Sequence, residues 1–191
     1  MLELALHILD IAENAVRAGS KTVFIDIVED RMGNRLAIEI RDDGSGMDEA
    51  TLKKAMDPFY TSKKVRRVGL GLPMLAEAAK RTGGSFALES HEGVGTRVAV
   101  EFRLGHLDRQ PLGDLTGALM SLIVGNAGVD FVLRHECEGR VFALDTREVR
   151  SEIGDIPINH PEVLKFIRQH IMEGLDGIGT EAGSAHYFEG G

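Results

Sequence analysis

Asp10-Ile11-Ala12-Glu13-Asn14-Ala15 is the stretch on which the reading of this 191-residue chain turns. It lies inside a run, Leu2 to Arg17, in which Leu2, Leu6, Leu9, Ala12 and Val16, with Ile8 and Ala15 beside them, recur at three- and four-residue steps before Gly19. That period predicts an amphipathic helix with a glycine stop. Asp10 and Asn14 are four residues apart, so on such a helix they share a face one turn from each other. Asn offers a neutral oxygen to a hard ion such as Mg²⁺, which completes its shell with water and phosphate oxygens. An aspartate one turn away can hold a metal-bound water or take a proton from a nucleophile. The plain alternative is a pair of solvated polar residues on a helix surface.

Outward from this helix the elements follow in a fixed order. Thr22 to Val28 and Arg35 to Arg41 are β-branched, partly alternating runs joined around Met32-Gly33-Asn34, and predict an antiparallel hairpin. A short helix is expected from Asp48 to Met56 with Asp48 as its cap, and another from Gly69-Leu70-Gly71 to about Thr82. Two further strands, Ser85 to Ser90 and Thr96 to Leu104, surround the turn Glu92-Gly93-Val94-Gly95. This order predicts an α/β sandwich, a sheet with helices on one face. After a boundary near Gly105 to Pro111, an apolar helix (Leu112 to Val124), a hairpin (Val129 to Cys137, Arg140 to Leu144), a short helix (Thr146 to Ile153) and a helix beginning at Pro161 predict a small α+β region. The expected division is 1–105, 106–176 and a disordered tail over 177–191.

Three more motifs carry chemistry. In Asp42-Asp43-Gly44-Ser45-Gly46 a carboxylate can accept a hydrogen bond from an exocyclic amine such as adenine N6, while Gly44 and Gly46 let the backbone approach a flat ring. Met47 beside them could pack on a base or simply fill the core. Phe59-Tyr60-Thr61-Ser62-Lys63, the basic run Lys64 to Arg67, and Gly69-Leu70-Gly71 together set cations and a glycine-rich helix entry where an anion could sit. Each alone also reads as an ordinary turn or a solvated loop. A nucleophile elbow, a zinc-binding His-Glu-x-x-His helix and a Walker loop are absent from the sequence.

Taken jointly, the motifs between Leu6 and Phe102 resemble the gyrase, heat-shock chaperone, histidine kinase and MutL (GHKL) ATPase superfamily, and within it the ATP-binding domains of histidine kinases and anti-sigma kinases. The resemblance implies a Bergerat-type mixed sheet. It further implies that Asn14 ligates Mg²⁺ and Asp42 contacts adenine N6, with Gly44 and Gly46 shaping the base pocket and Thr96 near the base; Met47, next in the chain, is counted among the nucleotide-binding candidates. Gly69, Leu70 and Gly71 would offer amides to the phosphates of ATP, under a short lid holding Lys63. Asp10 stands where relatives carry a glutamate base or an asparagine, and Arg67 where many histidine kinases have a glycine. His7 is expected on the helix surface. A stand-alone, cytoplasmic ATP·Mg²⁺ module acting on the γ-phosphoryl group is the leading expectation, with a non-catalytic, ATP-dependent regulator as the alternative.

Composition narrows the partners. The net charge is −8, and from Gly105 onward there are 7 Lys and Arg against 14 Asp and Glu. An acidic half would repel phosphates, so nucleic acid is not expected as a partner, whereas a protein docking on the acidic region is, along with a homodimer. No apolar run approaches the ~20 residues a membrane-spanning helix needs. The single cysteine, Cys137, cannot form an internal disulfide.

Overall fold

The first helix, α1 (Leu4–Arg17), forms where the period places it and buries Leu4, Ala5, Ile8, Ile11, Ala12 and Ala15. The structure, a computed structural model, describes residues 3–56 and 71–182. Glu3 at the N-cap makes no side-chain cap bond. The amides of Leu4 and Ala5 donate instead to the carbonyls of Pro111 and Leu112, at 2.9 and 2.8 Å. Helix-start N–H groups need an outside acceptor, and here a segment from the far half of the chain supplies it. His7 is a correction to the sequence expectation: it is only 2% exposed. It sits on the side of α1 that faces α3 (Gly71–Arg81), beside Met74, Ala78 and Gln110, and burial lowers its pKa.

The strands β1 (Thr22–Asp30) and β2 (Arg35–Asp42) pair antiparallel, as do β3 (Ser85–His91) and β4 (Gly95–Arg103), and β2 pairs antiparallel with β4. β5 (Asp130–Cys137) lies parallel to β1 with Leu133 beside Ile25, and β6 (Arg140–Asp145) returns antiparallel to β5. All belong to one six-stranded sheet in the order β3-β4-β2-β1-β5-β6. The sequence reading set a separate α+β region beyond residue 105; its strands instead continue the sheet of the first half. The physical reason is the edge of β1, whose backbone groups would otherwise be left without partners.

Val23, Ile25 and Ile27 of β1, Ile38 and Ile40 of β2, and Val98, Val100 and Phe102 of β4 alternate with polar neighbours and turn toward the helices. Onto this face pack α1, then α3 against β3 and β4, and α6 (Pro161–Ile178) against β5 and β6. The helix α4 (Leu115–Gly125) sits between α1 and α6 and buries seven of its residues, which is why it is apolar almost all round. The other face carries ion pairs, among them Arg35–Glu101, Arg97–Glu39, Arg97–Glu89 and Arg134–Asp26. Such partly exposed pairs contribute little stability and chiefly keep that face hydrated. Two short helices complete the fold. α2 (Glu49–Ala55) has Asp48 as its cap, accepting from Thr51 N at 2.7 Å, and α5 (Thr146–Ile153) is capped by Asp145. Among the described residues no helix is long and apolar enough to cross a membrane.

The end of α6 departs from expectation. A tail was expected from Gly177, yet α6 runs to Ile178, and Thr180 and Ala182 are buried. Residues 183–191 lie outside the described residues. Glu29, at the buried end of β1, explains the anchoring. Its Oε1 accepts from Thr180 Oγ1 and lies 2.7 Å from His135 Nε2 on β5. Glu181 in turn holds Arg109 through two bonds of 2.7 and 2.8 Å and accepts Leu112 N at 2.8 Å. The clasp therefore joins β1, β5, the end of α6 and the segment that caps α1.

Burial alone would raise the Glu29 pKa, but the hydrogen bonds from His135 and Thr180 outweigh it and hold the carboxyl below the usual range. A carboxyl depressed in the folded state stabilises above its unfolded pKa and loses that contribution as pH falls through the folded one. His135→Ala should lower stability by about 3 kcal/mol, since it strips one partner from a buried charge. Urea unfolding at pH 7 reads this, and the gap between the natural protein and Glu29→Gln should shrink as the pH is lowered below the ordinary Glu range.

Candidate functional site

One edge of α1 stays clear of the core and carries Asp10 and Asn14, both half-buried. Asp10 faces the start of α3, where a Cβ built on Gly71 would lie 1.9 Å from Asp10 Oδ2. A side chain at that position would have to push the Asp10 carboxylate aside. Burial raises the Asp10 pKa above the usual aspartate value, with Arg17 drawing it partly back and Glu13 adding to the rise. Asn14 Oδ1 accepts from the Arg17 guanidinium, which also pairs with Glu13 at 3.4 Å.

The loop after β2 forms the second wall. Asp42 Oδ1 accepts from Ser20 Oγ at 3.0 Å and from Gly44 N at 2.8 Å; among the described residues both hydrogen bonds to this carboxylate fall on that one oxygen. The next residue, Asp43, accepts the amides of Lys21 and Thr22 at 2.7 and 3.0 Å and so fastens the loop to the start of β1. Ser45 N donates to Ala18 O at 2.9 Å and Gly93 N to Ser45 O at 2.7 Å, which ties the same loop to the end of α1 and to the β3–β4 turn.

Two glycines make this stitching sterically feasible. Gly46 has φ +63°, and a Cβ there would lie 2.0 Å from His91 O; Gly95 has φ +132°, and its Cβ would lie 2.0 Å from Asp42 O. Backbone crosses backbone at both points, and no side chain fits. Beyond them Met47 N donates to Ser90 Oγ at 2.8 Å, and Ser90 Oγ is 2.9 Å from Thr96 Oγ1. Thr96, at the start of β4, thus joins the loop through a serine.

The structure therefore collects Asp42, Gly44, Gly46, Met47 and Thr96 around one loop, and Asp10, Asn14 and Gly71 on the helical side. Lys63, Arg67, Gly69 and Leu70 lie outside the described residues. The sequence reading assigned no role to Ser20, Asp43 or Ser90. Their only signal is a small polar residue at the end of an element, which many turns share. Chemically the set offers one metal-type amide oxygen, one carboxylate of raised pKa and one carboxylate with an oxygen left for a donor.

A family model described as histidine kinase-, DNA gyrase B- and HSP90-like ATPase matches residues 2–106, which contain all of these positions. The chain belongs to this ATPase family. Sporulation kinase C of Bacillus subtilis (strain 168) is 31% identical over 88 residues, covering 46% of this chain and 20% of that kinase. Sporulation kinase E of the same organism is 40% identical over 63 residues, 33% of this chain and 8% of its own length. The chain spans a fifth or less of the length of these curated relatives. A crystal structure of the N-terminal domain of a DNA repair protein superposes with a TM-score of 0.54 at 19% identity, covering 76% of this chain and 53% of that one. At that identity the likeness is one of fold.

In this ATPase-family chain the two backbone crossings predict a graded effect of alanine. Gly93→Ala, at φ +76° with nothing near its Cβ, should cost only about 1 kcal/mol for the left-handed backbone. Gly46→Ala and Gly95→Ala add a backbone clash and should each cost about 3 kcal/mol or more. Thermal unfolding of the three variants checks the order.

Proposed function

We propose that this chain binds ATP with Mg²⁺ between α1 and the Asp42 loop, and that it transfers the γ-phosphoryl group to water or to a hydroxyl of another protein. The observation that carries the reading is Asp42: a carboxylate committed through Oδ1 to Ser20 and Gly44 presents its other oxygen to a hydrogen-bond donor, as the adenine amine would be. Membership of the ATPase family supports it. Glycine-made backbone crossings at Gly46 and Gly95 support a flat ligand lying against the loop, with Met47 and Thr96 at its rim.

The donors present fit Mg²⁺. Asn14 supplies a hard, neutral oxygen at a half-buried position. Among the described residues no group of three or more His, Cys, Asp or Glu could hold a metal unaided. The ion would then arrive with the phosphates, and Arg17 would release the Asn14 amide to it. When bound it neutralises phosphate charge. Asp10, one turn from Asn14, is placed to take the proton of the attacking hydroxyl as the new P–O bond forms and ADP leaves. Its raised pKa makes it a stronger base than an ordinary aspartate. Gly71 opens α3 against Asp10, so that helix start would face the transferred group. The acidic second half remains our proposed contact for a protein partner.

Single-turnover assays with γ-labelled ATP test the chemistry. Asp10→Asn should lower phosphate release by about 10²- to 10⁴-fold while ATP binding stays within a few-fold. The natural protein's rate should fall as the pH drops through an Asp10 pKa above the usual aspartate value, because the base must be unprotonated. The same substitution should raise stability at neutral pH: a pKa raised on folding means that the ionised form is disfavoured in the native state. Asp42→Asn should weaken ATP binding by about tenfold or more, and Asn14→Ala should remove the dependence of binding on Mg²⁺. Tight binding without turnover, alone or with partner proteins, would leave a regulator in place of an enzyme.

A further inference from the structure

We infer that Ser20 is a positioning residue that aims the Asp42 carboxylate and thereby sets the preference for a purine bearing a 6-amino group; the inference rests on the nucleotide reading of this site. Ser20 follows α1 in the turn to β1 and is only 4% exposed. Its hydroxyl lies 2.7 Å from Ala15 O and 3.0 Å from Asp42 Oδ1. A hydroxyl has one proton, so both contacts cannot be full hydrogen bonds together. The Ala15 carbonyl already receives Ser20 N–H at 3.2 Å. An ionised Asp42, by contrast, can only accept, and a serine oxygen turned toward it without its proton would set lone pair against lone pair. The proton therefore belongs on the Asp42 side, in a charge-assisted bond.

With Gly44 N–H donating to the same oxygen, Oδ1 has two donors from different segments. Two donors on one oxygen stop the carboxylate from rotating about its Cβ–Cγ bond. Oδ2 is then left as a fixed acceptor, which matches an amino group and opposes the carbonyl of a 6-oxo purine. The third side of the nook is closed: a Cβ on Gly44 would lie 2.6 Å from Ser20 Oγ and 2.8 Å from Asp42 Oδ1. Ser20 also belongs to the turn that ends α1, so the same hydroxyl holds the base-facing carboxylate in register with Asn14 and Asp10. Removing the hydroxyl should leave the loop fastened by Asp43 and Ser45 while freeing the carboxylate to turn.

Calorimetry with Mg²⁺ on the full chain tests this with two ligands, ADP and purine riboside 5′-diphosphate, which has the same ring but no 6-amino group. The natural protein is expected to prefer ADP. Ser20→Ala should reduce that preference by about tenfold through weaker ADP binding, with binding of the other diphosphate changed by less than about twofold. Retained binding of the second ligand also reports that the variant is folded. Ser20→Thr, which keeps the hydroxyl, should keep the preference. Equal weakening of both ligands in Ser20→Ala, or an unaltered preference, would overturn the role of Ser20 and leave the adenine reading standing. No preference in the natural protein would overturn the adenine reading itself, and this inference with it.

Discussion

Burying the apolar side of α1 is the constraint on which the rest of the molecule depends. Leu4, Ile8, Ile11, Ala12 and Ala15 must leave water together, and each large side chain so buried contributes roughly 1.5–3 kcal/mol. A helix allows this only if it lies on the sheet at one rotation about its axis. That rotation leaves the edge bearing Asp10 and Asn14 outside the core, with Asp10 against the start of α3. The polar pair is thus aimed by apolar packing, with no contact of its own needed to place it.

The loop after β2 is the complementary device. A peptide segment that leaves a strand and runs to a short helix would ordinarily be mobile, because few apolar contacts hold it. Here it is held by backbone and carboxylate bonds to three neighbours: the end of α1, the start of β1 and the β3–β4 turn. The glycines matter because those neighbours come within backbone contact distance. Rigidity on this side and a half-buried carboxylate on the other suit a site that orients a ligand and accepts a proton.

The second half of the chain is structural for the first. It covers the β1 edge with β5, provides the carbonyls that satisfy the first turn of α1, and closes the far end through Glu29, His135 and Thr180. Removing it would expose an unpaired strand and unsatisfied helix amides at once. The ATPase-family segment and the C-terminal region are consequently one packed unit around a shared core.

How much of this was legible beforehand depends on the distance over which each interaction acts. Periodicity and turn chemistry are local, so the helices, both hairpins of the first half and the Asp48 cap could be read from neighbouring residues, and the same local reading singled out Asp10, Asn14 and Asp42 as candidates, whereas Thr96 entered only through the family resemblance. Pairing of β5 with β1, the burial of His7 and the clasp on Glu29 join residues far apart in the chain, and no local pattern encodes them. Ser20 shows the same division within the site itself. Its identity marks only the end of a helix, whereas its bond to Asp42 exists because folding brings two distant backbone segments within reach of one hydroxyl. The order of residues determined which groups were available and on which elements; only the tertiary structure decided which of them meet, because packing, and not proximity along the chain, sets the distances between side chains.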